Sequence, residues 1–178
     1  MTAIEKFEEA LDSNPNNKEL LLNVALTWTL ALEDEFSQEL TSGGSFPKNH
    51  HAVIKSQEYY LRAISTPPRY DSHSLFLYAY FLERCGLLDA AEDYYLQSLE
   101  SDPDNVACLL QYGNLLSEQG LHDDAEKFYT RASENTKGLT TMEWDYWGSP
   151  KSRELSVSSP RLSNVSRKSK TTHVNKKS

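Results

Sequence analysis

The chain repeats itself at an offset of 34 residues, and that period limits the folds open to it more than any other feature. Gly86 and Gly120 stand one period apart. Leu75, Tyr78, Ala79 and Leu82 fall on Leu109, Tyr112, Gly113 and Leu116, while Ala91, Tyr95 and Ser98 fall on Ala125, Tyr129 and Ala132. Steps of three and four mark helical faces, so each period holds two helices divided at a turn glycine. Half-copies lie upstream. Ala3-x3-Phe7-x2-Ala10-x4-Pro15 returns as Ser56-x3-Tyr60-x2-Ala63-x4-Pro68 and again as Ala91-x3-Tyr95-x2-Ser98-x4-Pro103. Each proline fixes φ and removes a backbone donor, so every unit stops in the same phase. Small residues let two antiparallel helices approach closely, and the aromatics fill the space between neighbouring units.

These residues resemble the tetratricopeptide repeat family, whose pattern of a large residue, Leu-Gly, Tyr, then Ala-x3-Phe and a closing Pro runs through both full copies. The resemblance covers about residues 2–139. It departs from the family where the usual Trp is Leu75 or Leu109, the usual Leu is Tyr78 or Tyr112, and the last Pro is Lys137. It implies an all-α superhelix, a solenoid of helical hairpins. The domain map is a repeat domain over 1–139, an aromatic capping or docking segment over 140–150, and a disordered basic tail over 151–178. Within the first, a half repeat (1–16) precedes a repeat with an insertion (17–71) and two regular repeats (72–105 and 106–139). Seven helices are expected. The first helix of the irregular repeat is expected to overrun to about Leu40 before a loop through Ser42-Gly43-Gly44-Ser45 and Pro47, an insertion over about 33–51.

Charge divides the chain. Its formal net charge is −8, yet residues 151–178 carry eight Lys or Arg against Glu154 alone, which leaves −15 for residues 1–150. The repeat domain therefore repels nucleic acid and acidic membrane surfaces and attracts basic partners. Rich in Ser, Thr, Lys and Arg, the tail cannot bury enough apolar surface to offset its ordering entropy. The start is acidic where a signal peptide is basic, and the most apolar run, Leu20 to Leu32, is too short and too polar for a span. With only Cys85 and Cys108 and no disulfide framework, a reducing, cytoplasmic location is expected, with the nucleus as the alternative.

In a stack of hairpins the concave surface comes mainly from the first helix of each pair. On the helical wheel that face carries Leu22 and Leu26, then His73, Phe76, Tyr80 and Glu83, then Leu110 and Asn114. Its centre is apolar and aromatic and its rim polar or acidic, which suits a protein or peptide partner with apolar anchors and basic flanks. Leu22, Leu26 and Leu110 have a plainer reading as core. In one subset of the family a groove grips the terminal carboxylate of chaperone tails. The corresponding positions here are Leu22, Leu26, Leu77, Ala107 and Gln111, so chaperone tails are disfavoured: a carboxylate among leucines loses water without gaining a partner.

Thr140 and Glu143 have capping-box spacing, and Met142, Trp144, Tyr146 and Trp147 crowd the following turn before Gly148 and Pro150. This segment reads as a structural cap, an internal ligand of the groove, or an external anchor. Ser149 and Ser159 precede prolines, and Ser156 and Ser169 follow basic residues, so all four suit kinases; two or three phosphates would largely cancel the tail's charge. No catalytic constellation or metal site stands out, and no cofactor is expected. His50-His51 falls in the expected loop without ligands at helical spacing and reads as solvated surface. The expected function is a non-catalytic scaffold or adaptor. The alternatives are a half-repeat scaffold of RNA-processing assemblies, which Leu75-x2-Tyr78-Ala79-x-Phe81-x-Glu83 partly resembles, or a regulatory subunit of a larger enzyme.

Overall fold

The computed structural model describes residues 3–136, and among them every regular element is helical. The helices are α1 (Ala3–Ser13), α2 (Lys18–Glu35), α3 (Ser37–Thr41), α4 (His51–Ser65), α5 (Ser72–Arg84), α6 (Leu88–Ser101), α7 (Val106–Glu118) and α8 (His122–Thr136). The aromatic segment 140–150, Ser149, Ser156, Ser159, Ser169 and the basic tail lie outside the described residues. None of the described helices is long and apolar enough to cross a membrane.

The first helices start alike. Asn17 accepts from the Leu20 N–H at 3.0 Å, Asp71 from the Ser74 N–H at 3.1 Å, and Asn105 from the Cys108 N–H at 3.0 Å. Each satisfies a donor that the first turn leaves without an intrahelical acceptor. Two of these helices also end alike, at glycines of positive φ, +71° for Gly86 and +82° for Gly120. The next residue's N–H turns back in each case, Leu87 to the Leu82 carbonyl at 3.0 Å and Leu121 to the Leu116 carbonyl at 2.9 Å. That geometry needs a left-handed residue, which glycine supplies without a Cβ clash.

Helices pair as α2 with α4, α5 with α6 and α7 with α8, with α1 laid on α2 and the first helices α2, α5 and α7 adjoining in turn. Between units the seam is aromatic. Tyr60 of α4 packs on Tyr78 of α5 with centroids 5.9 Å apart, and Tyr95 of α6 on Tyr112 of α7 at 6.0 Å. Within units, Tyr94 meets Tyr78 edge-on at 4.8 Å and Phe128 meets Tyr112 at 4.7 Å. Tyr60 and Tyr95 are fully buried, as are Ala63, Ala79 and Ala91, whose size lets the helices close around the rings.

The insertion departs from expectation. Helix α2 ends at Glu35, not Leu40; the chain breaks at Phe36 and makes one extra turn, α3, so eight helices replace the expected seven among the described residues. Farther on, Phe46 is 1% exposed and its N–H donates to the Arg84 carbonyl at 2.9 Å. The loop thus folds back onto the end of α5 and supplies a donor to a carbonyl that helix termination leaves open. Ser45 rests over Gly86, where an added Cβ would meet its side chain at 3.1 Å. Phe36 faces Phe46 at 6.5 Å and the His50 ring at 5.4 Å, and His50 Nε2 lies 3.7 Å from Glu35. His50 is therefore half-buried against an aromatic rather than solvated; His51, the first residue of α4, is exposed and meets Trp28 edge-on.

Replacing Phe46 by Ala should cost about 3 kcal/mol, the low end for a buried phenylalanine because a loop can partly collapse. The urea midpoint should fall, and the residue-46 amide should exchange its hydrogen faster as its bond to Arg84 loosens. An unchanged midpoint would mean that Phe46 anchors nothing.

Candidate functional site

The face expected to form a groove runs along α2, α5 and α7, and its residues separate by depth. Leu22 is 7% and Phe76 6% exposed, so both form the floor and offer little surface. Leu26 and Leu110 are half-buried, and His73 and Asn114 are exposed. Tyr80 and Glu83 are half-buried and carry most of the polar chemistry.

Two phenol–carboxylate pairs organise the wall. The Tyr80 hydroxyl donates to Glu33 Oε1 at 2.5 Å, crossing from α5 to α2. Arg84 Nε lies 3.0 Å from the same Glu33 oxygen, and its guanidinium carbon sits 5.9 Å from the Tyr80 ring centroid. One turn away, the Tyr95 hydroxyl donates to Glu83 Oε2 at 2.7 Å, while the Tyr95 ring faces Phe76 at 6.3 Å. Farther along, the Tyr129 hydroxyl donates to Asn114 Oδ1 at 2.8 Å and Asn114 Nδ2 to Gln111 Oε1 at 3.2 Å. A hydrogen bond to a carboxylate is among the stronger kinds, so these side chains are held in place before any partner arrives.

Glu33, Arg84 and Tyr95 were absent from the sequence-derived site. A signal for Glu33 existed: Leu22, Leu26 and Thr29 step by four and three along one face, and a further step of four reaches Glu33. It is visible only if α2 keeps helical phase into the insertion, as it does to Glu35. Tyr95 belongs to a second helix and reaches this wall from outside the first-helix face, through its hydroxyl on Glu83 and its ring against Phe76.

Burial is the main reason that the phenols hold their protons. It raises Tyr80 above the ordinary phenol value, the Glu33 charge and hydrogen bond push the same way, and Arg84 partly opposes. Tyr95 is raised well above that value by burial, then by Glu83. Burial raises Tyr60 and Tyr112 strongly as well, and pushes Tyr59 up to about 12. It also lifts the thiols of Cys85 and Cys108 to about 12, which leaves neither as a ready nucleophile.

A tyrosine whose folded pKa is raised contributes stability that is fully present below the unfolded value of about 10 and is lost as pH rises through the folded one. Above neutral pH, stability should hold to about pH 9, where the unfolded thiols of Cys85 and Cys108 begin to ionise, and fall steeply beyond about pH 10, with phenolate absorbance growing in the same step that removes the helical circular dichroism. Ionisation of most tyrosines near pH 10 with helices intact would contradict this assignment of buried, bonded phenols.

Two tetratricopeptide repeat family models match the chain, one over residues 72–105 and one over residues 94–127. Among solved structures, MamA MSR-1 is similar at 15% identity and a TM-score of 0.52, with 75% of this chain and 66% of that one covered. MamA AMB-1 is similar at 16% identity and a TM-score of 0.52, with 80% and 67% covered. The chain spans about two thirds of the length of these structures, and at such identities the likeness concerns the fold. No curated protein matches the sequence. Period, turn glycines, helical hairpins and family models agree over residues 72–127, and this part of the chain is built of tetratricopeptide repeats.

Proposed function

We propose that this protein is a non-catalytic interaction scaffold whose α2–α5–α7 face binds a peptide or helix with apolar anchors flanked by Lys or Arg. The observation that carries this reading is the wall at Tyr80. One phenol bridges two repeat units through Glu33, with Arg84 alongside and Phe76 beneath. Rings fixed by hydrogen bonds lose little conformational entropy on binding, and half-buried aromatics are the side chains that most often dominate interfaces. The −15 charge of residues 1–150 would draw a basic segment to this face.

A random-peptide display selection on the full chain tests the proposal. Selected peptides should pair aliphatic or aromatic anchors with basic flanks. The Tyr80→Ala variant should weaken them by about 10-fold or more, as loss of a central aromatic commonly does, and Glu33→Gln by less, with a reduced salt dependence. Peptides that lack basic residues, or that bind Tyr80→Ala unchanged, would remove the reading.

A further inference from the structure

The junction between α4 and α5 carries more than its turn needs. In the regular junction Asp104 alone separates the closing Pro103 from the cap Asn105, whereas Arg69 and Tyr70 separate Pro68 from the cap Asp71. The added tyrosine sits where its residue type is least at home. At φ +56° Tyr70 is the one non-glycine residue of positive φ among the described residues, in a region that an aromatic side chain resists and glycine enters freely. Its ring gives the fold nothing in return. It is 59% exposed, more than any other large apolar side chain among the described residues, and it makes no ring contact or side-chain hydrogen bond to them. A local rule broken without gain to packing marks a residue kept for contact with something else.

Tyr70 does not stand alone. Pro67, Pro68 and Arg69 before it are exposed as well, so the whole run Pro-Pro-Arg-Tyr meets solvent. Adjacent prolines have no N–H to satisfy and little backbone freedom to lose on binding, which is why grooves lined by aromatic rings select them. A tyrosine two residues after such a pair reaches a second pocket beside the groove. Four bonds hold the run against the domain: Lys18 donates to the Pro68 carbonyl and to Asp71, the Tyr70 N–H to the Ile64 carbonyl at 3.2 Å, and Arg69 Nε to the Ser65 carbonyl at 3.2 Å. Lys18 is the strongest of these restraints. Its one ammonium ties the middle of the run to the cap of α5 and occupies a proline carbonyl that a partner's donors would otherwise meet.

We propose that Pro67-Pro68-Arg69-Tyr70 is a docking site for a WW-type domain, with the proline pair clamped between aromatic rings of the partner and the Tyr70 ring in the adjoining pocket, and that Lys18 restrains the run until it docks. An extended ligand holds its tyrosine at negative φ, so docking draws Tyr70 out of the left-handed region and the strain of the free protein favours the bound form. The run shares no residue with the α2–α5–α7 face and does not depend on what that face binds.

Titration calorimetry of the full chain against a panel of isolated WW domains that take Pro-Pro-x-Tyr peptides tests the assignment. At least one domain should bind in a one-to-one ratio. Pro68→Ala and Tyr70→Gly should each weaken that binding by about 10-fold or more, as loss of a central anchor does. Lys18→Met, with its helical circular dichroism intact, should tighten it several-fold by freeing the Pro68 carbonyl. Thermal melts separate binding from folding. Tyr70→Gly should not lower the midpoint, because glycine accepts the left-handed conformation, whereas Lys18→Met should lower it as Asp71 loses its partner. Failure of both the full chain and Lys18→Met to bind any domain of the panel would overturn the proposal. So would binding that survives Tyr70→Gly or Pro68→Ala, and a lowered midpoint for Tyr70→Gly would assign the ring to the fold instead.

Discussion

The architecture depends on one contact made repeatedly, a tyrosine ring from the second helix of one unit laid against a tyrosine in the first helix of the next. Each such ring removes a large apolar area from water, and each brings a hydroxyl that would be costly to bury alone. Every interior member finds a partner. Tyr60 shares a hydrogen bond with Thr29, Tyr95 donates to Glu83, and Tyr112 donates to Glu92. The ring therefore joins adjacent units while the hydroxyl reaches back within the stack, to the unit's own first helix for Tyr60 and Tyr95 and to the preceding unit for Tyr112. A phenylalanine would serve the first purpose and leave Thr29 or the carboxylate without that partner.

The insertion shows the same economy of contacts at a position the period does not reach. Carrying α2 beyond the length of α5 and α7 would leave its last turn with no second helix alongside. Phe36, Leu40 and Phe46 fill that space, and the backbone of Phe46 terminates α5 from outside. The extra turn of α2 is also what presents Glu33 to Tyr80 and Arg84. The segment that departs most from the repeat thus holds one of the two carboxylates at the centre of the candidate site.

How much of this was legible depends on the range of the signal. Helix phase is a local property, so residues three and four apart announced the hairpins, the turn at Gly86 and the shared face of Phe76, Tyr80 and Glu83. Docking of the insertion is not local: the acceptor for the Phe46 N–H is 38 residues away at Arg84, and no periodicity links them. Depth was also hidden. A first helix packed between its own partner and the next unit has a buried arc wider than one stripe. The wheel could therefore place Leu22 and Phe76 on the right side without revealing that they lie under the surface.

That wide arc bears on recognition. A groove floored by buried Leu22 and Phe76 offers an incoming chain little loose apolar surface, so affinity for the proposed partner has to come from edges, where Tyr80 and its neighbours stand. These edges are rigid because their hydroxyls are already committed to carboxylates; Arg84 offsets the charge of Glu33, whereas the phenol of Tyr95 leaves the charge of Glu83 in place. Over residues 3–136 the chain carries 23 Asp or Glu against 9 Lys or Arg, so the field from the rest of the domain has the same sign as the site. Long-range attraction speeds encounter more than it tightens the final complex, whereas preorganised side chains reduce the entropy lost on docking. For the partner proposed above, such a face would favour quick, salt-sensitive capture and would leave discrimination among basic segments to the fit of their apolar anchors beside Tyr80.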